Sequence, residues 1–147
     1  IHPSADGEDL QFNMSADSGS NYNVTKTTTA FRAFHNEAGN DTNLSYHTGE
    51  DLAQGTGFQS ISYETDNAND SGISGTLNLF NPSSTTFVKH FIAQTSSCLD
   101  GGASYGIYNL NFFTAGYGNT TSAIDAVQFK MSSGNLDSGD ICLYGIK

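Results

Sequence analysis

The densest run of potential ligands lies just after Tyr63, where Glu64, Asp66, Asn67, Asn69 and Asp70 crowd into one polar stretch, ETDNANDSG. Oxygen donors at this density are what calcium takes, and Asp66, Asn69 and Asp70 form the candidate set. The run lacks the full alternation and closing Glu of an EF-hand loop, so a plain solvated loop is the competing reading; no other cofactor is implied. Tyr63, Asp66 and Tyr105 combine aromatic faces with a planar acceptor, a combination that holds sugars. The alternative is that these tyrosines pack over strand ends. His2, His35, His47 and His90 lack the short pair spacing of zinc ligands and read as exposed strand or loop residues. The chain contains no GxSxG elbow, P-loop or HExxH. Its 15 acidic residues allow many carboxylate pairings without marking one out. No catalytic residue is assigned, and the expectation is a protein that is not an enzyme.

Composition narrows the classes further. At 147 residues the chain is read as one domain, 1–147, able to bury roughly 70% of its unfolded surface. Ten Phe and seven Tyr can fill a core without Trp, while a charged fraction of only 14% leaves Ser, Thr, Asn and Gly to make the surface. That balance suits short strands joined by turns rather than disorder. The net charge of −10, with no Lys/Arg cluster, would repel a phosphate backbone and argues against nucleic-acid binding. No apolar run approaches the roughly 20 residues of a membrane-spanning helix, and no membrane insertion is expected. Of the two cysteines, Cys142 reads as a small buried hydrophobe and Cys98, in TSSCLDGG, as a loop residue; a bridge between them is left open. Ile1-His2-Pro3 reads as the end of an extended segment, with the expectation that an N-terminal strand or segment precedes it.

Period-two alternation carries the secondary-structure reading. Leu10, Phe12 and Met14 alternate with polar neighbours, and a turn follows at 18–21. Residues 24–35 put Thr25, Thr27, Thr29 and Phe31 on one face and Lys26, Thr28, Ala30, Arg32 and Phe34 on the other. A loop is expected over 36–43, a short helical turn within 51–58 with Leu52 as its apolar contact, and a brief strand over 60–63. Strands over 74–81 and 85–94 flank the Asn81-Pro82 turn as an antiparallel hairpin, with the second apolar on both faces and central. Further strands are read at 105–114 and 123–131, separated by a turn at 115–121. After a turn-rich stretch at 132–140, Ile141–Ile146 alternates again, a terminal strand expected inside a sheet. The resulting fold class is all-β, an antiparallel sandwich of jelly-roll type with seven or eight strands.

Three stretches carry a family resemblance: DGEDLQFNMSADSGSNYN at 6–23, LFNPSSTTFVKHFIAQ at 79–94 and AIDAVQFKMSSGNLDSGDICLYGIK at 123–147. The last is similar to a C-terminal signature of Ser-Ser-Gly-Asn, spacer, Ser-Gly, strand and Leu-Tyr-Gly-Ile. Together they resemble segments of structural and tail-fibre-like virion proteins of marine tailed bacteriophages. The resemblance implies a virion component, either a head decoration or cement protein or a fibre or appendage domain. Its partners would be copies of itself, as a trimer or higher symmetric assembly, and other virion proteins. It transfers no catalytic or binding residue. A carbohydrate-binding module, recognising a cell-surface glycan through Tyr63–Asp70 or Ala103–Tyr108, is the competing function.

Overall fold

A computed structural model describes residues 1–146, which form strands, turns and irregular segments, with no helix among the described residues. Ten strands form: β1 (His2–Pro3), β2 (Leu10–Ser15), β3 (Lys26–Asn36), β4 (Thr42–Tyr46), β5 (Gln59–Ser60), β6 (Ile73–Leu79), β7 (Lys89–Asp100), β8 (Ile107–Gly118), β9 (Ala126–Met131) and β10 (Leu136–Ser138). They make antiparallel sheets ordered β4-β3-β8-β7-β6, β5-β2-β9 and β1-β10. The architecture is the all-β sandwich expected from alternation. β1 with β10, β2 with β9 and β3 with β8 nest as one long antiparallel ribbon, the wrap of a jelly roll. β4 on one side and β7 and β6 on the other then widen the larger sheet.

The core forms where the two larger sheets face each other. Leu10, Phe12 and Met14 of β2 meet Phe91 and Ala93 of β7, with Ile61, Ile73 and Met131 closing the ends. Phe12 and Phe91 cross at 4.8 Å between centroids, edge to face, a preferred aromatic geometry. A second cluster, Ala30, Leu110 and Phe112, packs with Phe34 and Tyr63. Polar threonines that point inward are satisfied across the sandwich. Thr95 Oγ1 donates to the Ile61 carbonyl at 2.6 Å, Thr114 Oγ1 to the Ser60 carbonyl at 3.1 Å, and Thr28 Oγ1 to Gln59 Oε1 at 2.7 Å. The short β5 segment is thus held by β2 on one side and by threonine side chains of the larger sheet on the other.

Several expectations are corrected. Ile141–Ile146 forms no strand and lies exposed. Cys142 is exposed with it rather than buried, and both cysteines are free thiols. Cys98 lies in strand β7, where alternation outweighs the loop-like Ser/Thr composition. Residues 51–58 make no helical turn: Leu52 N donates to Thr28 Oγ1, and Lys26 and Gly55 exchange backbone bonds as an isolated bridge. The 36–43 loop is shortened by β4, which begins at Thr42. The expected turn at 115–121 gives way to strand through Gly118, since Gly116 and Gly118 sit at crowded ladder positions rather than in a turn. β2 is buried on both faces, with Asn13 and Ser15 as enclosed as its apolar residues.

Candidate interaction surface

Alternation along β3 sends even-numbered residues inward and leaves Thr27, Thr29, Phe31, Ala33 and His35 on the outer face of the five-stranded sheet. Register then assembles that face in rows. Tyr46, Phe31, Phe113, Gln94 and Thr76 form one row; Leu44, Ala33, Asn111, Ser96 and Ser74 form the next. On either side run Thr29, Ala115, Ile92 and Asn78, and Thr42, His35, Asn109 and Cys98. None of these rows contains Asp, Glu, Lys or Arg, in a chain whose net charge is −10. Phe31 and Phe113 stack at 4.7 Å. Phe31, Leu44, Tyr46 and Ile92 are exposed, Leu44 to 70%. Small Ala33 leaves a shallow depression of about 350 Å³ between Leu44 and Asn111.

The acidic groups stand at the rim. Tyr46 Oη donates to Asp51 at 2.6 Å, which raises the Tyr46 phenol above its usual pKa, and Tyr108 Oη donates to Asp41 at 2.7 Å. Burial first, then that bond, pushes the Tyr108 phenol up to about 12. Three of the chain's five cationic side chains are withdrawn from the surface or screened. Lys26 and Lys89 are fully buried, and the Arg32 guanidinium lies 4.3 Å from the Tyr63 ring centroid.

The sequence-derived site residues do not converge on one ligand. The Tyr63 ring is engaged by Arg32 and by His47, whose ring centroid is 4.5 Å away, and belongs to the second core cluster. Burial raises its phenol and, with the Arg32 charge, lowers the His47 imidazole. Asp66 is buried, and its carboxylate accepts the amides of Asp100 and Gly7; burial still raises its pKa. Asn69 and Asp70 are exposed on the 64–72 loop. Among the described residues no group of three or more His, Cys, Asp or Glu is arranged to hold a metal ion. Tyr105 keeps an exposed ring, while its carbonyl accepts Asn36 Nδ2 at 2.9 Å. The outer-face residues escaped sequence reading, although one signal was present: Phe31 on the threonine face of β3.

The second unusual surface is the segment after β10. Ile141 is 47% exposed, Leu143 89%, Tyr144 80% and Ile146 92%. Burying a large apolar side chain is worth about 1.5–3 kcal/mol, so the isolated chain forgoes that gain several times over. A sheet face of rings and amides, in a chain that also exposes an apolar segment, is equipped to bind another surface. Comparison with family models, with curated protein sequences and with solved structures finds no match.

Proposed function

We propose that this protein is a structural component of a phage virion, a head decoration protein or a fibre or appendage domain, that works by assembling with copies of itself and with other virion proteins. The carrying observation is the uncharged, partly apolar outer face of the five-stranded sheet in so acidic a chain. A surface meant only for solvent would share the charge; a docking surface is depleted of it at its centre. The virion assignment rests on the resemblance of residues 6–23, 79–94 and 123–147. Light scattering over a concentration series tests assembly, and co-sedimentation with particles tests the virion setting. A defined oligomer that decorates particles supports the reading; a monomer at every concentration that ignores particles removes it.

Glycan recognition is the second reading, favoured by Asn109, Asn111 and Gln94 lying on the same face as the exposed Phe31 and Tyr46 rings. Specific binding of host polysaccharide by the monomer, lost in Phe31→Ala, would move the assignment there.

A further inference from the structure

We infer that residues 141–146 of one copy pair as an added strand along the free edge of β4 in a second copy. This deepens the assembly reading and rests on it.

Two halves of such a joint are present, and among the described residues neither has a strand partner there. β4 is the terminal strand of the five-stranded sheet, bonded to β3 alone. Its sequence, TNLSY, carries none of the usual edge protection: no Lys, no Pro, no inward charge. The opposite edge is engaged at its first residue, where the Ile1 nitrogen donates to the Ile73 carbonyl at 2.7 Å and the Ile73 amide returns a bond to the Ile1 carbonyl at 2.8 Å. The donor half has no regular secondary structure of its own, and its sequence alternates: as a strand it would put Ile141 and Leu143 on one side and Cys142, Tyr144 and Ile146 on the other. A strand apolar on both sides is wrong for solvent and right for the flank of β4. One side would join Leu44, Tyr46 and Phe31 on the outer face; the other would extend the half-buried Phe34, Arg32 and Tyr63 cluster. Strand addition of this kind takes its affinity from main-chain bonds and its register from alternate side chains.

The acceptor must belong to another molecule. Gly139, which follows β10, packs against Ile1, beside β6. β4 lies four strand spacings beyond β6, about 19 Å. The two residues between β10 and Ile141 reach about 7 Å. Donor and acceptor therefore occupy opposite edges of one sheet, which makes the contact head-to-tail: copies close into a ring if the rotation per step allows, and otherwise extend as a filament.

Complementation tests this. A chain ending at Gly139 keeps the acceptor edge, and Asn43→Pro with Leu44→Lys keeps the donor segment; circular dichroism checks that each folds, and Leu44→Lys alone replaces the double variant if proline disrupts it. Each should be monomeric, with self-association weakened at least about 100-fold, and an equal mixture should give a 1:1 dimer that grows no further. In a Cys98→Ser background, Cys142 should form an interchain disulfide with Ser45→Cys on β4 and none with Gln128→Cys on β9. If the shortened chain still assembles like the wild type, or Cys142 couples only to the β9 position, strand exchange is overturned while assembly stands. If the wild type itself never associates, the assembly reading falls with it.

Discussion

Lys26 of β3 and Lys89 of β7 flank Gly118 of β8 in a single row of the larger sheet, both pointing into the sandwich and both fully buried. Lys26 Nζ donates to Asn13 Oδ1 at 2.6 Å and to the Val24 carbonyl at 2.8 Å; Lys89 Nζ donates to the carbonyls of Phe87 at 2.9 Å and Thr120 at 3.4 Å. These acceptors are amide and main-chain oxygens, not carboxylates. The lysines stitch the ends of neighbouring segments together, and the outer surface is left more acidic than composition alone suggests.

Burial lowers the Lys26 pKa from 10.5 to about 8. Between those values the unfolded chain binds more protons than the folded one, so this group's contribution to stability rises with pH across about 8 to 10.5. Below pH 8 the folded state carries the whole desolvation cost, on the order of 3 kcal/mol. Lys26→Met removes the charge and keeps the volume. The variant should be at least as stable as wild type at pH 7, with its relative advantage shrinking toward pH 10.5. Paired urea melts at pH 7, 9 and 10.5 measure this; a pH-independent difference would contradict it.

Gly118 is tightly enclosed between the lysines. A Cβ there would lie 2.9 Å from Met14 Cε and 3.0 Å from Val24 Cγ1. Gly118→Val must displace both core side chains, and overpacking of this kind costs about 1–3 kcal/mol. Gly57→Ala serves as the control, since a Cβ there meets nothing within 4 Å. Thermal melts should show a clear loss for the first and a much smaller change for the second.

Asp9 has the opposite pH signature on the acid side. Burial, with the Glu50 and Glu64 charges adding to it, raises its pKa from 3.8 to about 6 against hydrogen bonds from the Glu64 amide at 2.7 Å and Ser60 Oγ at 3.0 Å. The folded state holds its proton longer than the unfolded state. This contribution is therefore complete below about pH 4 and is lost as pH rises through 6. Asp9→Asn can keep both partners and should gain relative to wild type at pH 7 by up to about 3 kcal/mol, converging with it at pH 4. Chemical denaturation at the two pH values checks the crossover.

Thr114 tests whether the sandwich is held by cross-sheet polar bonds as well as by its core. Thr114→Val preserves shape but removes the 3.1 Å donor from the buried Ser60 carbonyl, which keeps Gln59 Nε2 at 2.9 Å. The expected loss is about 0.5–1.5 kcal/mol, read as a lower urea midpoint with an unchanged slope. An unchanged midpoint would mean that the Gln59 bond alone satisfies the carbonyl.

Strand existence was largely legible because alternation is local. The two faces of β3, down to Lys26 sharing the inward side with Ala30, follow from period two alone. Boundaries were less so: Thr42–Tyr46 hides in a polar run, and Gly116 and Gly118 mimic a turn while serving as close-packing positions in a long strand. For the candidate surface, one residue of it, Phe31, was visible as an aromatic among threonines; its neighbours Leu44, Tyr46, Phe113 and Ile92 come from three other strands and meet it only through register.

The amino-acid order by itself determined a β-rich chain with an aromatic core and a negative exterior, because side-chain periodicity and charge are properties of neighbouring residues. Only the tertiary structure decided which strands lie at the sheet edges, and that Ile141–Ile146 joins no sheet. Period two states that a segment has two faces; a partner depends on where distant strands bring an open row of backbone groups.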